Sequence, residues 1–320
     1  MIAKPTALTL PLSLPITRDV RDIMQAAWRR LATVIDRVAR FGLVLPIGAA
    51  SITGVVALAL TGALAWPLAV ATFLCVYSSY LIDHLADVGE LAPEHESDRT
   101  KALSNRALFS ALGQAAFIGA LAISYAYSGL ASALLLLCFP VAVALYGTPL
   151  FGALAGRFVP YRRLKDIPGI KAFYTAFFWA LLVVYAAGFM AAIEPRVTGF
   201  FVAYVFLSDL VNTIFCDFKD LERDRLEGVV TLPLMLGVER TTLWLHRVNL
   251  AALAVLWGAV MMHWVPSWLI ALTPVHLYIG AVVAQGATLV RRGGNPGDGP
   301  MDAAFMLWLP LAFIGLNLGF

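Results

Sequence analysis

Long apolar runs separated by short polar connections dominate the chain. Nine of these runs reach the roughly 20 residues that a helix needs to cross a bilayer: 41–61, 66–87, 106–127, 130–149, 169–192, 198–217, 242–262, 267–290 and 302–320. Apolar runs of this length are typical of spanning helices rather than strands. The pattern therefore predicts an all-α membrane protein with nine transmembrane helices.

The connections between these runs alternate between two kinds. Those near 62–65, 128–129, 193–197 and 263–266 are short and almost uncharged, whereas those near 88–105, 150–168, 218–241 and 291–301 are longer and charged. Of the 23 Lys and Arg residues, only Arg196 falls in the first kind. Because cytoplasmic loops carry an excess of Lys and Arg, we expect the N-terminus and the charged loops in the cytoplasm and the C-terminus outside.

The segment before the first apolar run has a different pattern. Residues 17–40 carry apolar side chains at helical spacing with six arginines among or opposite them. This arrangement is typical of an amphipathic helix that lies in the membrane interface. The sequence therefore predicts two parts, an interfacial segment over 1–40 and a nine-helix transmembrane domain over 41–320.

Composition supports a membrane protein. The chain of 320 residues is 60% hydrophobic and 13% charged, with a mean hydropathy of +0.81, whereas soluble domains carry about 25% charged residues. Cys75, Cys138 and Cys216 lie far apart and form neither a metal-ligand spacing nor a disulfide framework. We expect a bilayer as partner and no nucleic acid; the excess of Arg over Lys and the many alanines favour a bacterial inner membrane.

Two acidic clusters lie at the ends of apolar runs. In the first, Asp83 and Asp87 are four residues apart, and Ser79 continues that face one turn earlier. The second cluster holds Asp217, Asp220 and Asp224, whose spacing predicts one helix face. Carboxylates beside a bilayer are costly and therefore mark function.

The five aspartates predict a divalent metal site. Two acidic faces that meet across a cavity repel each other strongly where the dielectric constant is low. Mg²⁺ relieves this repulsion, and it completes its coordination shell with water and phosphate oxygens. We therefore expect Asp83, Asp87, Asp217, Asp220 and Asp224 to hold Mg²⁺ against a phosphorylated lipid.

Polar and aromatic residues near the same helix ends supply further candidates for substrate binding. Basic side chains are suited to a diphosphate, and aromatic rings stabilise cations. Asn212 belongs to a polar stripe that extends from the second cluster into the membrane. The full set of candidates is Ser79, Tyr80, Arg99, Tyr146, Lys165, Lys171, Asn212 and Arg223.

The motifs resemble those of the UbiA superfamily of intramembrane prenyltransferases. Asp217-x-x-Asp220-x-x-x-Asp224, followed by Gly228, Thr231-Leu-Pro233 and Gly237, is close to that family's second signature, and the sequences 145–149 and 164–168 resemble its middle loop. The first motif departs from the family's NDxxDxxxD pattern. Ser79 stands for the Asn and Tyr80 for the first Asp, and residues 98–101 replace the usual Arg-Pro.

The resemblance implies a helical bundle around a central cavity and an Mg²⁺-dependent enzyme. Such an enzyme ionises an isoprenyl diphosphate and transfers the prenyl group to a lipophilic or aromatic acceptor. Two other interpretations stay open at this point. One is a UbiA-type terpene cyclase, which needs no external acceptor, and the other is a lipid-binding protein or transporter with Asp209 in an ion path.

Overall fold

The computed structural model describes residues 38, 41–87, 103, 105–147, 149, 161 and 163–319. Val38 apart, the predicted interfacial helix over 17–40 lies outside these residues. So do Arg99 and the side chain of Asp87.

The described residues form α-helices and two short 3₁₀ turns, with no strand among them. The 3₁₀ turns are Leu164–Asp166 and Ser267–Leu272. The α-helices are α1 Val44–Thr61, α2 Trp66–Asp87, α3 Arg106–Leu136, α4 Cys138–Gly147, α5 Ile170–Phe189, α6 Pro195–Cys216, α7 Leu221–Glu227, α8 Leu232–Leu236, α9 Val238–Met261, α10 Thr273–Arg291, α11 Gly299–Met306 and α12 Trp308–Leu318. The prediction of an all-α membrane protein is thereby confirmed.

Eight helical stretches in the described part of the chain are long and apolar enough to cross a membrane. One of them, Arg106–Tyr146, has 41 residues, about twice the length that one crossing needs. Inside it, Gly129 has a non-helical backbone with φ 79° and ψ −173°. The stretch covers the two runs 106–127 and 130–149 that the sequence predicts as separate spans.

The most buried spans are α1 and α6. α1 packs on α2, α5 and α11, and α6 packs on α5 and α9. Gly48 allows the close approach of α1 to α11, because a Cβ at this position would lie 2.7 Å from Cβ of Phe305. The Ser51 hydroxyl accepts a hydrogen bond from the Leu309 backbone N–H at 2.8 Å. Small residues at such contacts are typical of helix packing in membranes.

A buried hydrogen-bond network joins three of the helices. The Tyr204 hydroxyl on α6 lies 2.7 Å from Nε2 of His276 on α10. Asn249 on α9 lies 2.8 Å from Nδ1 of the same imidazole and donates to the His276 carbonyl at 2.9 Å. Because all these polar atoms are paired, the network stabilises the contact between the three helices.

Connectivity places two helix ends side by side. α5 and α6 pack against each other and are joined by only the short connection 190–194, so they run antiparallel. The beginning of α5 therefore lies at the same end of the bundle as the end of α6. The predicted central cavity stays a prediction; the apolar pocket of about 370 Å³ between α5 and α6 is lined by Phe177, Leu181, Val184, Val202 and Phe206, among others.

Candidate active site

The second acidic motif does not lie on one helix face, and that part of the sequence prediction is wrong. α6 ends at Cys216, residues 217–220 form a turn, and α7 begins at Leu221. Aspartate is a poor residue for helix interiors, and the buried ring of Phe218 packs on Phe215 at 5.9 Å between centroids. The helix therefore stops at the motif, and the chain folds Asp224 back towards Asp217.

Asp217 and Asp224 are buried, with 1% and 5% of their surface exposed. Nζ of Lys171, at the start of α5, lies 2.7 Å from Oδ1 of Asp217. The Lys171 charge also acts on Asp224 and, more weakly, on Asp220. Lys171 is thus a cation in contact with the second motif, and the structure brings together the two sequence candidates Lys171 and Asp217.

Burial has a clear electrostatic effect on these carboxylates. It raises the pKa of Asp217, although the Lys171 ammonium acts in the opposite direction. It also raises the pKa of Asp224 to about 7, again against the effect of Lys171. Burial thus makes both carboxylates costly to ionise, and further positive charge at this position would lower that cost.

Tyr146 connects the two acidic motifs. Its hydroxyl is within electrostatic range of Asp83 in the first motif and of Lys171, Asp217 and Asp224 in the second. The ring stacks on Tyr174 with 5.6 Å between centroids. The Tyr174 hydroxyl in turn donates to the Ala142 carbonyl at 2.8 Å. Tyr146, at the end of α4, is therefore a residue on which charges of both motifs act.

The first motif lies on one continuous helix, α2. The Asp83 side chain is 58% exposed and lies 3.9 Å from Nδ1 of His84. Ser79 donates back to the carbonyl of Cys75 at 3.0 Å. Tyr80 is buried and stacks on His84 at 3.9 Å; its ring also fills the space above Gly42, where a Cβ would come within 2.0 Å of it. Tyr80 thus serves packing in this structure.

The loop before α5 contacts the loop after α7. The Gly169 backbone N–H donates to the Val230 carbonyl at 2.8 Å. Arg163 holds Asp166 through its backbone N–H at 3.0 Å and Nε at 2.9 Å, and these bonds lower the pKa of Asp166. Lys165 lies half-buried between these two residues, and Arg223 on α7 is also half-buried.

Two acidic residues at this end of the bundle were missed by the sequence analysis. Asp298 forms an ion pair with Lys219, which lies within the second motif. Asp302, one turn later on α11, accepts from Nδ2 of the candidate Asn212 at 3.2 Å. The Asp298–Asp302 spacing of four residues was the available signal. Asp298 lies in the charged connection 291–301, between two predicted spans.

The residues of the site suit Mg²⁺ chemically. Carboxylate oxygens are its preferred ligands, and it usually takes only one or two of them together with water and phosphate oxygens. Among the described residues, no three His, Cys, Asp or Glu side chains converge into a ready cluster. The buried carboxylates of Asp217 and Asp224 beside Lys171 nevertheless favour the binding of further cations. The predicted role of all five aspartates stays a prediction.

Comparison with known proteins gives matches only at the level of structure. No family model matches the sequence, and no curated protein matches it either. Similarity is found among solved structures.

Three solved structures share the fold. A UbiA homologue from Aeropyrum pernix K1 superposes with a TM-score of 0.56 at 15% identity, over 87% of this chain and 98% of that one. A UbiA homologue from Archaeoglobus fulgidus bound to DMAPP and Mg²⁺ gives 0.52 at 16% identity, over 89% and 98%. A digeranylgeranylglyceryl phosphate synthase gives 0.51 at 12% identity, over 89% and 98%. The chain therefore shares its fold with these UbiA homologues, in agreement with the resemblance of its aspartate motifs.

Proposed function

We propose that this protein is an Mg²⁺-dependent intramembrane prenyltransferase, which ionises an isoprenyl diphosphate and transfers the prenyl group to a lipophilic or aromatic acceptor. The observation that carries the proposal is the ion pair of Lys171 with the buried Asp217 at 2.7 Å, beside Tyr146, on which charges of both acidic motifs act. The UbiA homologue bound to DMAPP and Mg²⁺ supports the substrate class. Together they favour binding of a diphosphate at this end of the bundle.

In the proposed mechanism, the charged residues of the site bind Mg²⁺ and the diphosphate. Asp83, Asp87, Asp217, Asp220 and Asp224 would hold Mg²⁺, which supplies positive charge to the leaving diphosphate. Lys171 is the proposed contact to the diphosphate, since its ammonium supplies positive charge 2.7 Å from the candidate ligand Asp217. Charge that is fixed in position before the reaction lowers the barrier more than charge that must reorganise. Arg99, Lys165 and Arg223 are further candidates for diphosphate contacts.

Aromatic rings extend inward from the charged end. Tyr174 follows Tyr146, Phe178 follows at 4.9 Å from Tyr174, and Phe139 packs on Phe178 at 6.3 Å. Aromatic faces attract cations, and an apolar wall keeps water from an allylic cation. This row favours the ionisation step, and it suits a terpene cyclase as well as a transferase.

The topology completes the proposal. We propose nine crossings, with Gly129 dividing the 41-residue stretch Arg106–Tyr146. The N-terminus, including an interfacial segment over 1–40, and the acidic motifs would face the cytoplasm, following the distribution of Lys and Arg. A bacterial inner membrane is the expected location.

The first experiment measures Mg²⁺-dependent diphosphate release by detergent-purified protein. Geranyl, farnesyl and geranylgeranyl diphosphate are supplied separately, first without an acceptor and then with membrane lipid extract. Release that requires the extract supports the transferase, whereas release without it, with a cyclic product, supports the cyclase. If no diphosphate is released under either condition, the proposal is wrong.

A matched pair of variants controls for surface charge. Asp220→Asn removes a candidate ligand, while Glu222→Gln removes the same charge two residues away, at an exposed side chain. We expect loss of release in the first variant and none in the second. Equal effects in both would argue against a specific role for the motif.

A further inference from the structure

A second lysine lies inside the second acidic motif, and its surroundings differ from those of Lys171. Lys219 lies in the turn between Asp217 and Asp220, with 21% of its side chain exposed. Its ammonium forms an ion pair with Asp298 and lies 3.8 Å from Oδ2 of Asp220. The Lys219 charge also acts on Asp217. This ammonium is therefore placed between a candidate metal ligand and a carboxylate outside the motif.

The two contacts of this ammonium are unequal. Oδ2 of Asp298 accepts a direct hydrogen bond from Nζ of Lys219, whereas the 3.8 Å to Asp220 is beyond hydrogen-bond distance. The Asp298 side chain is 8% exposed and the Asp220 side chain is 27% exposed. Because buried charges are screened less than exposed ones, Asp298 is the stronger partner of Lys219.

Asp298 is held in place by a loop that is attached to α10. The Gly294 backbone N–H donates to the Leu289 carbonyl on α10 at 2.8 Å. The Tyr278 hydroxyl, also on α10, donates to the Pro300 carbonyl at 2.5 Å. The loop is thus tied to the same helix before and after Asp298. The carboxylate therefore reaches the second motif from a fixed backbone position, 79 residues later in the chain than its lysine partner.

An aspartate directly before a helix usually has another use. Its side chain accepts hydrogen bonds from the first backbone N–H groups of that helix. The Asp298 side chain makes no bond of this kind with α11, and it accepts from Lys219 instead. The partial positive charge at the start of α11 still stabilises an anion at this position. The carboxylate is thus directed to Lys219 rather than to its own helix.

We propose that Asp298 is a positioning residue: it holds the Lys219 ammonium beyond hydrogen-bond distance of Asp220 and so leaves the Asp220 carboxylate open to Mg²⁺. This inference rests on the proposed function, in which Asp220 is a metal ligand. A lysine ammonium and a metal ion compete for the same carboxylate, because both are attracted by its negative charge. Without Asp298, rotation of the flexible Lys219 side chain brings its ammonium against Asp220. Asp298 therefore acts on the metal through Lys219, in the way that residues around a metal site tune its ligands.

The test is a double-variant cycle with metal binding as the readout. Mn²⁺ replaces Mg²⁺, and its bound fraction is measured by electron paramagnetic resonance on detergent-purified protein without substrate. We expect Asp298→Asn to weaken Mn²⁺ binding by about tenfold or more, as substitutions of residues around metal ligands do. Lys219→Met should bind Mn²⁺ at least as tightly as wild type. Asp298→Asn should have no further effect when Lys219→Met is already present.

The cycle separates the positioning role from a direct one. If Asp298 bound the metal itself, or attracted it by its own charge, Asp298→Asn would weaken binding by the same factor with and without Lys219→Met. That result would overturn the inference. Weaker binding in Lys219→Met, or no Mn²⁺ binding in the wild type, would overturn it as well. The result for Lys219→Met does not depend on whether Asp298→Asn folds.

Two further variants serve as controls. Glu239→Gln removes an exposed carboxylate in the first turn of α9, and we expect its Mn²⁺ binding to equal that of wild type. A tenfold loss in this variant would show a general effect of charge and would overturn the inference. Asp298→Glu keeps the negative charge, so it should bind Mn²⁺ more tightly than Asp298→Asn. Equal losses in the two Asp298 variants would contradict a role for the charge.

Turnover supplies a second readout. In Asp298→Asn, the Mg²⁺ concentration for half-maximal diphosphate release should rise about tenfold, the same factor as the loss of metal binding, while the rate at saturating Mg²⁺ stays close to wild type. A lower saturating rate with an unchanged Mg²⁺ requirement would indicate a structural role and overturn the inference. If the variants show the expected Mn²⁺ pattern but the wild type releases no diphosphate, the proposed function is wrong and the inference about the metal site stands.

Discussion

The two acidic motifs lie at the ends of two apolar helices, α2 and α6, but their surroundings differ. In the second motif, Asp217 is buried and paired with Lys171. In the first motif, Asp83 is largely exposed, and its nearest described partner is His84 at 3.9 Å. The Asp217 carboxylate therefore belongs to the folded core, whereas the Asp83 carboxylate lies outside it.

This contrast indicates two kinds of binding group in one site. The second motif is already organised, because Lys171 compensates part of the charge and the turn over 217–220 fixes the backbone. Asp83 has little to hold it in place until a cation and a diphosphate bind. We therefore expect substitution of Asp217 in the second motif to change stability and activity together, and substitution of Asp83 in the first motif to change activity alone.

Asp217→Ala gives the largest expected effect. Activity should fall by about 10²–10³-fold, as for the loss of one preorganised electrostatic group. The free energy of unfolding should fall by up to about 3 kcal/mol, because the half-buried Lys171 ammonium would lose its partner. Diphosphate release and denaturant unfolding in detergent measure the two effects. The double variant Asp217→Ala/Lys171→Met should regain stability but not activity; if it regains neither, the ion pair does not explain the loss.

Asp83→Ala comes next. Activity should fall by about 10²-fold if Asp83 is a metal ligand, while the free energy of unfolding should change by less than about 0.5 kcal/mol, as for an exposed residue. The same two assays apply. A large loss of stability would contradict the contrast between the motifs, and near-normal activity would remove Asp83 from the site.

Tyr80→Asp tests the packing role at the departure from the family pattern. A carboxylate in the space above Gly42 should cost about 1–3 kcal/mol of stability, since it buries a polar group in an apolar cluster. Mg²⁺ dependence or product identity should change rather than disappear. Tyr80→Phe keeps the ring and serves as the control. Unchanged stability, kinetics and products in Tyr80→Asp would show that Tyr80 has no specific role.

Arg163→Ala should give the smallest effect and calibrates the others. The pair with Asp166 is partly exposed, so its loss should cost less than about 1 kcal/mol. Because Arg163 lowers the pKa of Asp166 in the folded protein, this stability is present near neutral pH and is lost as the pH falls through that pKa. Unfolding of wild type and variant should therefore converge in acid. A difference that persists in acid would point to packing instead of charge.

The sequence predicts the membrane-spanning architecture well because long apolar runs have few alternatives. The predicted run 198–217 is α6, Pro195–Cys216, and the run 169–192 is α5, Ile170–Phe189. Lys171 was predicted for the site because it lies near a helix end. The turn after Cys216 was not predicted, since the spacing of the three aspartates fits a continuous helix equally well.

The contacts between distant segments could not be predicted. Asn212 and Asp302 are 90 residues apart, and nothing in the local pattern of either segment indicates the other. Asp302 begins an apolar run and therefore looked like an ordinary helix start. Tyr80 was predicted as a substrate contact, a role that stays untested, whereas its packing against Gly42 depends on a positive φ that only the folded chain reveals.

The hydrogen bond between Gly169 and Val230 bears on how the protein tolerates sequence change. Its donor and acceptor are both main-chain atoms, so a side-chain substitution at Val230 cannot delete it. Only position 169 is restricted, because its φ of +71° favours glycine and proline has no N–H to donate. This bond between the two loops therefore persists through most side-chain changes near it. A hydrogen bond between main-chain atoms can therefore keep the two loops in contact even in relatives whose sequences have diverged.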